Sequence, residues 1–174
     1  GYGLEFDLNA DPHYDASGLG RVHRQGAPSA ICLSQPCPET PNFTVDIPTP
    51  VALSLCPARK TPEGWVFAAD PTAKYEVKAY AADGHTATAT LTCTYGEHTA
   101  TLTYTVSADG VTVTQNGEGE QSHALPVLAF DGEIHPAVTV EPSSVTVAYE
   151  GHVCRYTANG GITDTGVTAA NRNG

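Results

Sequence analysis

The sequence predicts an all-β fold: a large antiparallel two-sheet β-sandwich of the super-sandwich type, with little or no helix. Three observations carry that expectation. Short runs alternate apolar and polar residues with the period of a half-buried strand, most clearly over 75–116. Gly (17) and Pro (13) are frequent and fall between those runs, where turns need them. No helical apolar period is sustained for as many as about ten residues. Roughly a dozen strands are too many for one open sheet, which would curl or split, so two packed sheets follow. A propeller or solenoid would repeat itself every ~20–50 residues, and this chain does not.

Leu4, Phe6 and Leu8 alternate with Glu5, Asp7 and Asn9 and predict a first strand within 1–10. Pro12, Gly18 and Gly20 break regular structure, and Val22-His23 enters a second extended piece. Ala30 to Leu33 reads as a short apolar strand before a proline-rich loop. Phe43, Val45 and Ile47 alternate, residues 51–56 are mostly apolar, and prolines at 48, 50 and 57 punctuate both. Trp65-Val66-Phe67 is a short strand carrying the only tryptophan.

Over 75–116 the pattern is clearest. Tyr75, Val77 and Ala79 share one face, and Asp83-Gly84 marks a turn. Ala87, Ala89, Leu91, Cys93 and Tyr95 then alternate with threonines, and Gly96-Glu97-His98 turns the chain. Ala100, Leu102, Tyr104 and Val106 alternate with threonines again, and Asp109-Gly110 leads into Val111 and Val113. This is an antiparallel meander with one apolar and one threonine face. β-Branched threonine suits a strand even in water. Its hydroxyls can also bond a sugar, but a solvated face is the simpler reading. Residues 125–130 read as a buried strand, and Val138/Val140, Val145/Val147/Tyr149 and Val153 continue the alternation.

The length of 174 residues reads as one domain, 1–174, able to bury about two-thirds of its unfolded surface without a metal or disulfide. The net charge of −11, from 8 basic and 19 acidic residues, repels a phosphate backbone and argues against nucleic acid. Four basic residues, Arg21, Arg24, Arg59 and Lys60, leave room for a local patch that accepts an anionic sugar. The five cysteines, at 32, 37, 56, 93 and 154, are odd in number and lack a C-x-x-C pair. They read as reduced core residues rather than a disulfide framework or zinc ribbon, which leans towards a reducing compartment. No apolar run is long enough to span a membrane. The abrupt ends, Gly1-Tyr2-Gly3 and Asn171 to Gly174, point to an excised fragment of a larger protein, whose periplasmic or secreted location stays open.

Chemistry concentrates in one stretch. Asp11 to Arg24 holds two imidazoles, two carboxylates, two guanidiniums and a phenol within fourteen residues. His13, Tyr14 and Asp15 supply a base, an acid and an orienting carboxylate. On a strand His13 and Asp15 would share a face. Pro12 and the glycines suit a loop equally well, and then ordinary hydrogen bonding explains the polarity. Arg21 and His23 have strand spacing and face one way, and arginine offers a planar fork for a carboxylate or sulfate. The competing reading for Arg21, His23 and Arg24 is an ion pair with Asp7, Asp11 or Asp15. The other five histidines are scattered, and His85 and His98 fall in predicted turns, where a solvated imidazole is expected. No H-x-H or H-E-x-x-H spacing occurs, so a zinc site would have to be assembled in space from an Asp and two His.

The run Asp11-Pro-His-Tyr-Asp-x-x-Gly-Leu-Gly-Arg-Val-His-Arg24, followed by Gly26-Ala-Pro-Ser and Leu33-Ser34, resembles the C-terminal β-sandwich region of heparinase II/III-like proteins. Arg155-Tyr156-Thr-Ala and Ala170 to Gly174 are compatible with the same region. The resemblance implies a parent polysaccharide lyase that joins an N-terminal helical toroid to this sandwich and cleaves anionic, uronate-containing polysaccharide by β-elimination. It implies that His13, with His23 second, supplies the sandwich histidine, while the toroid contributes a tyrosine and the group that neutralises the uronate carboxylate. Tyr14 stands next to His13, Asp15 is a candidate substrate contact, and Arg21 and Arg24 are candidate anion clamps or plain structural ion pairs. A zinc ion is a possible cofactor on the same grounds, and no other is implied. Tyr14 directly after His13 departs from the family's usual His-Asp motif. No toroid is present, so the isolated chain is expected to be inactive without that helical partner domain.

The alternative from a different class is a non-catalytic carbohydrate-binding or structural β-sandwich module. Aromatics make up only 7% of the chain, which weighs against a stand-alone sugar binder. An immunoglobulin-like adhesion module is a third reading, and the missing Cys…Trp…Cys spacing counts against it.

Overall fold

The structure is a computed structural model and describes residues 1–11, 16–28, 31, 44–45, 55–69, 72–127, 135–164 and 170–171. These residues form an all-β, antiparallel, sandwich-type fold with no α-helix among them. The strands are β1 (Tyr2–Asp7), β2 (Gly18–Arg24), β3 (Thr44–Val45), β4 (Pro57–Thr61), β5 (Gly64–Phe67), β6 (Lys74–Ala82) and β7 (Ala87–Tyr95). They continue with β8 (His98–Val106), β9 (Val111–Gly117), β10 (Gln121–His123), β11 (Ala137–Glu141), β12 (Ser144–Tyr149), β13 (His152–Thr157) and β14 (Ala170–Asn171).

The meander forms a four-stranded sheet, β6-β7-β8-β9. Period-two alternation sends Leu91, Cys93, Tyr95, Ala100, Leu102 and Tyr104 inward, where all are buried. The threonines face out in register, as in the row Thr90–Thr103–Thr114, with one hydroxyl contact of 3.3 Å between Thr90 and Thr103. The Asp83 turn is locked locally: its carboxylate accepts the backbone N–H groups of Thr86 and His85 at 2.7 and 2.9 Å. Strand β6 departs from the sequence expectation. A bulge between Val77 and Ala79 shifts its register, so that Ala79 pairs with Thr90 on the threonine face and Tyr80 with Ala89 on the apolar face. Tyr75 is buried, and towards the far end of the strand Val77 is 46% exposed and Tyr80 71% exposed. A bulge inserts one residue and re-aims those beyond it.

Two smaller units pack against the same core cluster. The hairpin β1–β2 contributes Leu4, Phe6, Leu19 and Val22, and Phe6 meets Tyr104 edge-on with centroids 4.9 Å apart. The sheet β10-β4-β5 closes the other part, with Cys56, Val66, Phe67 and Ala124 in the cluster. Gly18 shows why this layer needs a glycine. Its φ is +135°, and a Cβ there would lie 2.9 Å from the Tyr75 ring. Strands β4 and β10 are absent from the sequence expectation: Pro57-Ala-Arg-Lys-Thr61 and Gln121-Ser-His123 are too short and too polar to show an alternating period. Their pairing, Gln121↔Arg59 to His123↔Pro57, joins distant segments.

The third unit is β11-β12-β13. Val145 and Val147 are buried with Ile31, and Val138, Cys154 and Tyr156 pack against them. Register explains a second correction. Val147 pairs with Cys154, and Ala148 with Val153, so Val153 faces out, 59% exposed. The β12–β13 turn places Glu150 at φ +47° and Gly151 at φ +78°, as a two-residue type I′ turn requires. The expected strand over 125–130 is not formed where described: Leu125 to Val127 is half-buried but irregular. Of the pieces expected at 30–33 and 43–56, Ile31 is buried, β3 pairs with β14, Leu55-Cys56 is a bend, and the rest lies outside the described residues. Cys56 and Cys93 are buried core residues, Cys154 is half-buried, and Cys32 and Cys37 lie outside the described residues.

Candidate functional site

The chemistry-rich stretch belongs to one hairpin. Its connection, residues 8–17, is closed at the base by the Asp7↔Gly18 pairing and further in by the Ala10 N–H, which donates to Ser17 Oγ at 3.3 Å. His13, Tyr14 and Asp15 fall within this connection and lie outside the described residues.

The hairpin itself carries the basic residues. Leu4 pairs with Val22 and both face the core, so alternation turns Glu5, Arg21 and His23 to the outer face. A bulge between Glu5 and Phe6, opposite Leu19 and Arg21, lets Leu19 turn inward without disturbing that arrangement. Glu5 lies directly across from Arg21, and its carboxylate accepts a hydrogen bond from His23 Nε2 at 2.8 Å. No described residue pairs with the Arg21 guanidinium. Arg24 is on the opposite side of the strand and stacks over the Tyr2 ring, 5.4 Å from its centroid. The structure therefore brings Arg21 and His23 together and sets Arg24 apart. His23 takes Glu5 as its partner, not one of the aspartates expected from the sequence. Such an outer face can present a cation and an oriented imidazole to an anion.

A second polar cluster escapes sequence reasoning. It lies where β4 and β10 approach β8 and β9. The Arg59 guanidinium on β4 donates to His98 Nδ1 on β8 at 3.2 Å, and Glu118 Oε2 stands 3.9 Å from Arg59. His98 also meets the Tyr95 ring edge-on at 5.8 Å. It is half-buried at the start of a strand, not the solvated turn residue its position suggests; His85 is the exposed one. Beside this pair, Gln115 on β9 donates from Nε2 to Ser122 O at 3.0 Å and to Gln121 Oε1 at 3.1 Å. Its Oε1 accepts from His123 Nδ1 at 2.9 Å. The His123 residue is half-buried overall, yet its Nε2 is sealed from water with no partner. Burial pulls the imidazole down to about 4. The only sequence cue was the Arg59-Lys60 pair; nothing in it points to His98 or to Gln115.

The core hydroxyls and thiols are inert. Burial pushes the Cys93 thiol up to about 12 and Tyr95 up to about 12, and it raises Tyr75 and Tyr104 well above the usual phenol range. The Tyr75 hydroxyl is buried with no well-formed hydrogen bond; the neighbouring Cys93 thiol, which does interact with it, is too weak a partner to satisfy it. Neither thiol nor phenol is available as a nucleophile at neutral pH. Among the described residues no three His, Cys, Asp or Glu side chains are placed to hold a metal ion. No helix of the described residues is long and apolar enough to cross a membrane.

No family model matches the chain, and no curated protein or solved structure matches it significantly.

Proposed function

We propose that this chain is the β-sandwich part of a heparinase II/III-like protein that engages uronate-containing polysaccharide, with β-elimination requiring the helical domain as well. One observation supports this most: the outer face of the β1–β2 hairpin sets Arg21 and His23 side by side. β-Elimination removes the poorly acidic C5 proton of a uronate, which requires its carboxylate to be neutralised first. Arg21 is suited to that carboxylate. His13 or His23 serves as the proton-transferring imidazole, with Tyr14 next to His13 in sequence, and His23 is oriented by Glu5 as a base is oriented by its carboxylate. Arg24 and Asp15 would contact sugar units further along the chain. No step is routed through a metal.

The test has two arms. Affinity electrophoresis against heparin, heparan, alginate and chondroitin should show retardation by at least one of them, weakened several-fold by Arg21→Ala and by salt. The isolated chain should give no ultraviolet signal of unsaturated uronate with any of them. Robust turnover by the chain alone would overturn the divided site, and absence of retardation by every anionic glycan would overturn the polysaccharide reading. The outward threonine rows favour a second reading, a non-catalytic carbohydrate or structural module. Binding of neutral glycans that is unaffected by Arg21→Ala would select it.

A further inference from the structure

We infer that the joint between the β6–β9 sheet and the β10-β4-β5 sheet is an acid-released latch, held by two histidines that must both be neutral. Hydrogen-bond chemistry alone fixes the protonation. A guanidinium only donates, so His98 Nδ1, 3.2 Å from Arg59 Nη1, must be a bare acceptor and the ring proton must sit on Nε2. Gln115 uses its amide nitrogen towards Ser122 O and Gln121 Oε1, so its oxygen faces His123, and His123 Nδ1 must carry the proton. The His123 Nε2 then holds a lone pair in a sealed place with no partner. A second proton on either ring breaks the arrangement. On His98 it sets two cations in contact. On His123 it buries an unpaired N–H and a charge.

Both rings bridge the two sheets. His98 on β8 is joined to Arg59 on β4, and Gln115 on β9 to Gln121, Ser122 and His123 on β10. Strands β9 and β10 belong to different sheets, so side chains make this connection. Among the described residues, the strands around His123 offer it no compensating charge. Strand β9 carries no charged residue, and β10 none besides His123 itself. On β4, Arg59 is engaged with His98 and Glu118, and Lys60 sits over the Trp65 ring, 5.1 Å from its centroid. The core phenols nearby, Tyr95 and Tyr104, are uncharged at neutral pH. Around His98 stand Arg59, the Tyr95 ring, the exposed Glu118 carboxylate and the neighbouring Glu97, which is exposed.

The sign follows from where the protons go. His123 is held at about 4 when folded against 6.5 when free, so the opened state binds more protons between those values. The stability it confers is complete above about pH 6.5 and falls as pH drops towards 4, by at most about tenfold in the opening equilibrium per pH unit.

Two measurements on the whole chain test the latch. Nitrogen chemical shifts of the rings at neutral pH should show His98 as the Nε2–H tautomer and His123 as the Nδ1–H tautomer. The reverse tautomers, or an imidazolium at either position, would overturn the inference. Hydrogen exchange, corrected for intrinsic pH dependence, should show the Lys60 and Ala124 amides, which donate across this layer to Glu120 O and Cys56 O, opening up to about tenfold more per pH unit between about 6 and 4. The Leu91 and Leu102 amides should open less steeply. His98→Gln/His123→Gln keeps neutral hydrogen-bonding side chains and should flatten that pH dependence. An unchanged slope in the double variant overturns the latch. If that variant does not fold, the ring tautomers of the unaltered chain still decide.

Discussion

The β1–β2 hairpin and the β4–β8–β9–β10 corner make an instructive pair. The hairpin is dense in reactive groups by sequence, yet on its outer face they meet water: His23 and Glu5 pair at 2.8 Å with side chains 39% and 64% exposed. The corner is sparse in sequence, one arginine, two glutamines and two histidines scattered over 59–123, yet the fold converges them and seals the His123 Nε2 from water. The same residue types therefore do different work. Exposed, an imidazole–carboxylate pair is adaptable, available to a ligand and weak. Buried, an imidazole is fixed to one tautomer and its protonation is coupled to the fold.

The comparison can be broken from either side, and the largest effect is expected on the hairpin's inner face rather than its outer one. Gly18→Ala forces a Cβ to within 2.9 Å of the Tyr75 ring at φ +135°, and should cost about 3 kcal/mol in denaturant-measured stability from overpacking and backbone strain. A loss under about 1 kcal/mol would mean the hairpin is not seated on the core as described. Next is Gln115→Ala, which strands the His123 Nδ1–H and the Ser122 carbonyl. About 2 kcal/mol is expected by the same measurement, together with loss of the defined His123 tautomer in ring nitrogen shifts. The smallest effect belongs to the outer face. Glu5→Gln should change stability by no more than about 0.5 kcal/mol, an effect that fades with salt. It should also strengthen retention on anionic glycans by removing the carboxylate that faces Arg21. Weaker retention would turn the reading of that face around.

The fold was legible wherever period two ran unbroken. Threonine–apolar alternation over 87–106 specifies register, and the structure has Leu91 opposite Leu102 as that pattern demands. It was not legible at β6, because a bulge after Val77 is a single-residue event that periodicity does not encode. Nor was it legible at β4 and β10, whose few polar residues gain their place from a pairing sixty residues apart. The candidate site divided in the same way. Strand spacing put Arg21 and His23 on one face, but His23's partner was Glu5, a residue on the neighbouring strand, rather than the aspartates nearby in sequence. The corner was illegible for a deeper reason: no local pattern announces that His98 accepts from Arg59 when the two are brought together only by the packing of two sheets.

The turns of the meander set an order of assembly. Strands β8 and β9 are joined by Ser107 to Gly110, closed by the Ser107 N–H bonding to Gly110 O at 2.9 Å. Pairing Gln121 with Arg59 instead closes a loop of 121 − 59 = 62 positions. By the logarithmic scaling of loop closure, the second costs on the order of 2–3 kcal/mol more chain entropy than the first. Once β6 to β9 are paired, much of that long loop is already spanned by a rigid sheet, and β4 and β10 are separated by its width, by β5 with the segment that follows it, and by the short connector after β9. The layer carrying both histidine bridges is thus the one whose formation waits on the threonine-faced sheet. A chain emerging from synthesis has the β4–β5 hairpin in hand well before it has β10 to pair with β4.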